Sequence, residues 1–438
     1  MTSPTNITEE IKQARGKFIA MAATYSLGVF NDNFFKQAAC LLAVSVGLAR
    51  LQGDAGVLFT VPFILLAAPA GWLSDRFPKR NIVIAAKLLE VVAMTCGAIG
   101  VCTENWTLIL IMVFTMGLHS TIFSPALNGS IPELYPASYV LKANSIMKMV
   151  TTTAILVGII LAGMALSVKS SGPGGIPMGR FIVAASVLAV AAGGLLASLK
   201  TPRRPAASPG AKFPWTGPID TIRVVWGIRK DRLLNIVIWT DAYVWLVAAL
   251  LVFIINKTGM EQLHLDELRT SYLVVAELAG VGAGGFLCGR LASSGRWFRI
   301  LPPAAMLLAA GCLGVTLVPK LASHAAVFGV SANPQMIAIV VCLVLAGLGG
   351  GLLLVPLESF IQSRPAPEHK GQIIAAANFT AFSGIAIAAL LFLLIDPLTT
   401  SVPGGRSLHP TTAFAFIGAP TALVGVLLAA ALRKEDGR

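Results

Sequence analysis

The sequence predicts an all-α membrane protein, with twelve transmembrane helices in two pseudo-symmetric six-helix bundles. Three observations carry that expectation. The 438 residues are 56% hydrophobic and only 12% charged, with mean hydropathy +0.79, which is not the composition of a water-soluble globule. Apolar runs long enough to cross about 30 Å of hydrocarbon, roughly 20 residues at about 1.5 Å each, recur along the whole chain. Basic residues collect in alternate loops between those runs, as the positive-inside rule requires. That pattern accounts for the net charge of +13 without nucleic acid, and no basic stripe with interleaved aromatics is present.

The first run, 18–48, follows the basic residues Lys12, Arg15 and Lys17. It continues through polar Asn31-Asp32-Asn33 and is too long for a signal-peptide core, so it is read as a retained helix. The second run, 55–74, and the third, 81–101, are separated by the basic hairpin Gly71-Trp72-Leu73-Ser74-Asp75-Arg76-Phe77-Pro78-Lys79-Arg80. There Gly71 permits close helix approach, Asp75 can pair across the turn, and Arg76, Lys79 and Arg80 hold the turn to the cytoplasmic face. Runs at 106–127, 141–166 and 180–199 complete the first bundle, residues 1–199.

Residues 200–232 change character, with several prolines and the basic residues Arg203, Arg204, Lys212, Arg223, Arg229 and Lys230. This stretch reads as a cytoplasmic linker. Trp215 and Trp226 could rest it on the membrane, but its helical periodicity is poor and a plain tether is expected. The second bundle, 233–438, repeats the scheme with runs at 233–256, 270–291, 299–318, 335–357, 372–395 and 411–432. Both chain ends then lie in the cytoplasm. Weak internal similarity supports the pairing of halves. Pro125 closes the fourth run as Pro356 closes the tenth, and Asn144 near the start of the fifth answers Asn378 in the eleventh. Gly71 answers Gly289, whose loop keeps Arg290, Arg296 and Arg299 but has no acid.

Several chemistries are absent. No G-x-x-x-x-G-K-[ST], H-E-x-x-H or G-x-S-x-G pattern occurs. None of His119, His264, His324, His369 and His409 has an Asp five residues on, as glycerolipid acyltransferases do, which argues against an intramembrane enzyme. The six cysteines stand singly, without C-x-x-C spacing, and read as small buried residues, not as disulfide or metal ligands. No cofactor and no metal are expected. What remains is a transporter that is not driven by ATP bound in a P-loop.

The candidate functional residues are polar groups within the apolar runs, where a charge costs about 2.5–3.5 kcal/mol on insertion scales. Asn31, Asp32, Asn33 and Lys36 lie halfway along the first run, and Asp32 and Lys36 share a helix face. They read either as a structural ion pair or as a polar substrate pocket, the two asparagines favouring the second. Lys87 and Glu90 are also one turn apart, open equally to pairing and to function. His119 reads as a proton carrier or as a hydrogen-bonded core residue. Asp241 and Tyr243 occupy the repeat position facing the first helix and are expected to line the same cavity. Glu277 and Lys148 are further candidates. Gly280, Gly282, Gly284 and Gly285, and Gly347, Gly349, Gly350 and Gly351, read as close-packing segments.

The hairpin from Gly71 to Arg80 resembles the loop between the second and third helices of the major facilitator superfamily, with Pro78 where that family usually has glycine. More narrowly, Phe30-Asn31-Asp32-Asn33-Phe34-Phe35-Lys36, Lys87-Leu88-Leu89-Glu90, Phe123-Ser124-Pro125-Ala126, Ile131-Pro132-Glu133-Leu134 and Lys142-Ala143-Asn144 resemble the lysophospholipid transporters of that superfamily. The sequence departs from that branch at Leu127-Asn128 and at Val244-Trp245-Leu246-Val247, where basic residues are usual. The resemblance implies alternating access, with Gly71, Asp75, Arg76, Lys79, Arg80, Pro125, Glu133 and Pro356 as gating positions. It implies movement of lysophosphatidylethanolamine from the outer to the inner leaflet of a bacterial inner membrane. A functional link to an acyltransferase or acyl-carrier-protein synthetase follows from the same resemblance. Asp32 would then face the ethanolamine ammonium and Lys36 the phosphate. Proton-coupled export of a drug or another small amphiphile, with Asp32 or Glu90 carrying the proton, is the other reading of the same residues.

Overall fold

The structure is a computed structural model describing residues 4–128, 130–135, 137–203, 205–206, 208–210, 212–291, 297–325, 334–365, 370–399 and 408–436. Helices α1 (Pro4–Ser45), α2 (Leu51–Arg76), α3 (Lys79–Thr103), α4 (Trp106–Asn128), α5 (Ile131–Leu134), α6 (Ala137–Ser167) and α7 (Met178–Ser198) come first. They are followed by α8 (Gly217–Gly227), α9 (Arg232–Lys257), α10 (Glu267–Leu291), α11 (Leu301–Ala325), α12 (Pro334–Ser363), α13 (Lys370–Thr399) and α14 (Ala415–Asp436). Among the described residues, extended structure amounts to one isolated bridge between Ser171 and Pro177 in the α6–α7 connection.

Among the described residues, eleven helical segments are long and apolar enough to cross a membrane. The first helix is not among them: α1 has 42 residues, but Asn31-Asp32-Asn33 and Lys36 interrupt its apolar run. The protein is therefore a multi-pass helical membrane protein, with eleven candidate spans by length and composition among the described residues. Two differences from the sequence expectation have plain causes. The 200–232 connection is not a plain tether, because α8 forms within it, with Pro218 in the first turn where its missing N–H is no loss. Ahead of α6, Pro132 likewise helps start the extra short helix α5.

The chain divides into two compact units, one of residues 1–42 and 58–220 and the other of 43–57 and 221–438. In the first, α3 packs on both α4 and α7, and α6 packs on α7. One end of this unit is filled by Phe18 and Met21 of α1, Ile82, Val83 and Ala86 of α3, and Phe123, Ala126 and Leu127 of α4, with Tyr135 and Met147. The α2–α3 hairpin is tighter than the sequence suggests. Asp75 and Arg76 lie in the last turn of α2, Lys79 and Arg80 in the first turn of α3, and only Phe77 and Pro78 connect them. Arg80 donates 2.7 Å to the carbonyl of Leu199 beyond α7, a favourable place for a cation at a helix C-terminus.

In the second unit α12 packs on α10 and α11, α9 on α13, and α11 on α14. The α10–α12 contact is a reciprocal small-residue seam. A Cβ on Gly280 would stand 2.9 Å from the amide nitrogen of Leu348, and one on Gly284 2.9 Å from that of Leu352. Gly347 and Gly351 press in turn on the backbone of Glu277 and Val281. The segment 43–57 joins this unit through Gly53, against Leu393, and Gly56, against Phe253 and Ala389. Pro125 and Pro356 both lie inside helices, α4 and α12.

Candidate functional site

Within the first unit, α1, α3 and α4 bring buried polar side chains together against the backbone of α7. Lys87 and Glu90 are three residues apart on the face of α3 that also buries Ala86, Ala93, Met94 and Gly97, and both are almost wholly removed from solvent. The Lys87 ammonium lies 2.5 Å from Glu90 Oε2 and 4.9 Å from the centre of the Phe123 ring. Space for it comes from two glycines. A Cβ on Gly28 of α1 would come within 2.6 Å of Lys87 Nζ, and one on Gly194 of α7 within 3.3 Å.

Glu90 is the hub. Its Oε1 accepts from Asn31 Nδ2 at 3.2 Å, and Asn31 Nδ2 also reaches the carbonyl of Val187 on α7 at 3.1 Å. His119 Nε2 lies 3.4 Å from Glu90 Oε2, within ion-pair range but without hydrogen-bond alignment. The His119 ring stacks on Phe123 one turn further along α4, with centroids 5.4 Å apart. Its other ring nitrogen is 3.4 Å from Ser120 Oγ, and that hydroxyl donates to Asp32 Oδ2 at 2.8 Å. A polar chain thus runs Lys87, Glu90, His119, Ser120, Asp32.

Three buried atoms on this chain and on Asn31 beside it have no hydrogen-bond partner among the described residues: Asn31 Oδ1, Asp32 Oδ1 and His119 Nε2. The first two are acceptors, and desolvated acceptors left empty are costly. They are suited to a donor that arrives with a ligand. Asp32 and Lys36 do not form the pair their spacing allows. The Lys36 ammonium sits 5.1 Å from the centre of the Phe59 ring, while Asp32 is engaged by Ser120. Asn33 turns away, donating 2.8 Å to the carbonyl of Val29 on its own helix.

The second unit holds Asp241, buried on α9 with Oδ1 unpartnered among the described residues. Tyr243 shares a 2.7 Å hydrogen bond with Thr421 of α14. Glu277 is buried on α10, and Gly347 packs against its backbone. The side chains of Glu133, Asn144, Lys148 and Arg290, and the whole of Arg296, lie outside the described residues. Of the gating positions, Gly71 has open space where a Cβ would stand, Asp75 is exposed, and Arg76 lies over the Trp72 ring at 5.5 Å.

Reading polarity along the runs does not find Gly28, Gly194, Phe59 or Ser120, which are ordinary membrane-helix residues until their neighbours are known. It also misses a second buried pair, Lys257 at the end of α9 with Asp396 of α13 at 2.5 Å, and Glu261 3.7 Å away. Beside it Asn256 donates 3.1 Å to Gln52. Asp396 adjoins Pro397 at the end of the eleventh run, where the sequence reads as a span ending.

The family profile described as Major Facilitator Superfamily matches residues 16–389. Curated relatives include proteins named Lysophospholipid transporter LplT. The one from Enterobacter sp. (strain 638) is 24% identical over 406 residues, covering 88% of this chain and 89% of the relative. Those from Klebsiella pneumoniae (strain 342) and Serratia proteamaculans (strain 568) are each 26% identical and cover 88% and 91% of this chain and 89% and 92% of theirs. Among solved structures, a bacterial homologue of the human lysosomal transporter Spinster, inward-facing and unoccupied, superposes with TM-score 0.69 at 14% identity over 95% of both chains. A D-xylose–proton symporter gives TM-score 0.67 at 14% identity over 94% of this chain and 96% of that one. At that identity the structural likeness speaks for the fold alone.

Proposed function

This chain belongs to the major facilitator superfamily, and we propose that within it the protein moves a lysophospholipid of the lysophosphatidylethanolamine kind across a bacterial inner membrane. It is a secondary transporter. The observation that carries the substrate reading is the pair of empty acceptors, Asn31 Oδ1 and Asp32 Oδ1, buried in the polar belt of α1. A primary ammonium supplies three donors and a positive charge, which is what an unfilled carboxylate oxygen in a dry site requires. Lys36 is held by a ring and not by Asp32, so its charge is available to a phosphate one turn along the same face. The names of the relatives at 24–26% identity agree with this chemistry.

In this reading the head group follows the polar belt while the acyl chain stays in hydrocarbon, and the two bundles, 1–199 and 233–438, rock about the site. Both chain ends and the 200–232 connection face the cytoplasm, and an acyltransferase or acyl-carrier-protein synthetase on that side consumes the product. A second reading, proton-coupled export of another amphiphile, draws on the chain from Glu90 through His119 and Ser120 to Asp32. Uptake of labelled lysophosphatidylethanolamine by cells with and without the protein separates them. Protein-dependent arrival of label in the inner leaflet is expected. No protein-dependent uptake, together with drug extrusion that stops when the proton gradient is collapsed, would replace the lipid reading by the export one.

A further inference from the structure

The segment between α7 and α9 carries a surface that transport of a head group does not explain. Trp215, Ile219, Ile222 and Trp226 are spaced four, three and four residues apart, so that from the turn before α8 to its end they form one stripe. They are 86%, 53%, 52% and 64% exposed. The opposite side is occupied, with Gly217 buried against Ala68 and Ile228 buried just after the helix. An amphipathic helix in water turns its apolar stripe inward, whereas α8 turns its own outward. Between two membrane spans, such a helix lies at one face of the bilayer.

Charge selects the occupant. Lys212, Arg223, Arg229 and Lys230 are all exposed, against the single acid Asp220 in the same stretch, which accepts 2.7 Å from Thr216. The Arg229 guanidinium lies 3.5 Å from the centre of the Trp226 ring, so a cation stands at the very edge of the apolar stripe. Indole rings favour the head-group level, and cations beside them favour an anionic surface. We propose that α8 and its flanks bind the anionic lipid surface of the membrane, with the Trp215–Trp226 stripe immersed and Arg223, Arg229 and Lys230 on lipid phosphates. This contact reaches the α2–α3 hairpin through rings that meet edge to face: Trp215 with Phe213 at 4.6 Å and Phe213 with Trp72 at 5.0 Å between centres. The amide of Ser208 also donates 2.8 Å to the carbonyl of Asp75.

The proposal does not depend on the substrate and is tested without a transport assay. Full-length protein and its Trp226→Phe variant are placed in vesicles of phosphatidylcholine with phosphatidylglycerol, one of the two lipids carrying bromine on its acyl chains. The difference in tryptophan emission between the two proteins reports position 226. That signal is expected to be quenched at least twofold more by brominated phosphatidylglycerol than by brominated phosphatidylcholine at equal mole fraction. Joint replacement of Arg223, Arg229 and Lys230 by Gln is expected to abolish the preference. Equal quenching by both lipids overturns the anionic part of the proposal. No quenching by either overturns it altogether, aqueous iodide then telling a water-facing stripe from one covered by protein. Should Trp226→Phe fail to fold, Trp215→Phe gives the same comparison from the other end of the stripe.

Discussion

Asp32 is held on one side only: Ser120 satisfies Oδ2, and nothing described satisfies Oδ1. A residue kept for packing would be cheaper as Asn, which is nearly isosteric and uncharged, so Asp32→Asn is expected to leave expression and melting temperature unchanged or slightly raised. Uptake is expected to fall at least tenfold, about 1.4 kcal/mol at the site. Because Lys36 rests on Phe59 and not on Asp32, Lys36→Met should not strand the carboxylate, and the double variant should stay folded and inactive. Wild-type uptake by a folded Asp32→Asn protein would end the assignment. Lys87 is the contrasting case, a cation enclosed by Glu90, Phe123 and two glycines. Gly28→Ala puts a methyl group 2.6 Å from its ammonium, which must then shift within its enclosure against Glu90. Overpacking of this kind costs about 1–3 kcal/mol, read as a lower melting temperature in detergent. Gly28→Ala combined with Lys87→Met should recover part of the loss, since the displaced charge is gone. An undisturbed melting temperature for Gly28→Ala would mean that the ammonium has room to move.

Among the elements, the α2–α3 hairpin carries three of its four charges against its helices: Asp75 in the last turn of α2, and Lys79 and Arg80 in the first turn of α3, stand at the unfavourable pole, while Arg76 at the end of α2 stands at the favourable one. Side chains so placed gain little from their own helices and are available to partners elsewhere, as Arg80 is to Leu199. Asp75→Asn is therefore expected to slow transport about fivefold, near 1 kcal/mol on the slow step, with substrate affinity unchanged. Equal loss of affinity and rate would reduce the hairpin to a folding element. The sequence makes the long helices legible because a run of about 20 apolar residues has one common use in a membrane chain. It hides α8, because two prolines and a cationic flank mask a stripe of only four residues. It hides the partners in the site for another reason. Spacing of four residues places Asp32 beside Lys36, but contacts 59 and 88 residues distant in sequence, to Glu90 and Ser120, decide what each carboxylate meets.

At the scale of the molecule, the orientation rests on the basic loops, and one position reports it. Ser208 is exposed beside Asp75, so Ser208→Cys in a background without the six native cysteines should resist an impermeant thiol reagent in intact cells and react after permeabilisation. Labelling from outside would invert the orientation and with it the side on which the product is reacylated. Each compact unit also has its own internal polar knot, Lys87–Glu90 in the first and Lys257–Asp396 in the second, set among apolar helices. The first knot bears on how the chain is made. A lone Lys at mid-helix adds about 2.5–3.5 kcal/mol to the insertion of a helix into lipid. The ribosome delivers α1 before α3 and α4 after it, so the Asn31 amide and Gly28 recess are already in place when Glu90 and Lys87 arrive, whereas His119 and Phe123 are still to come. The easiest entry for α3 is with its charges closed on each other and leaning on α1, which makes the order of synthesis part of how this site is assembled.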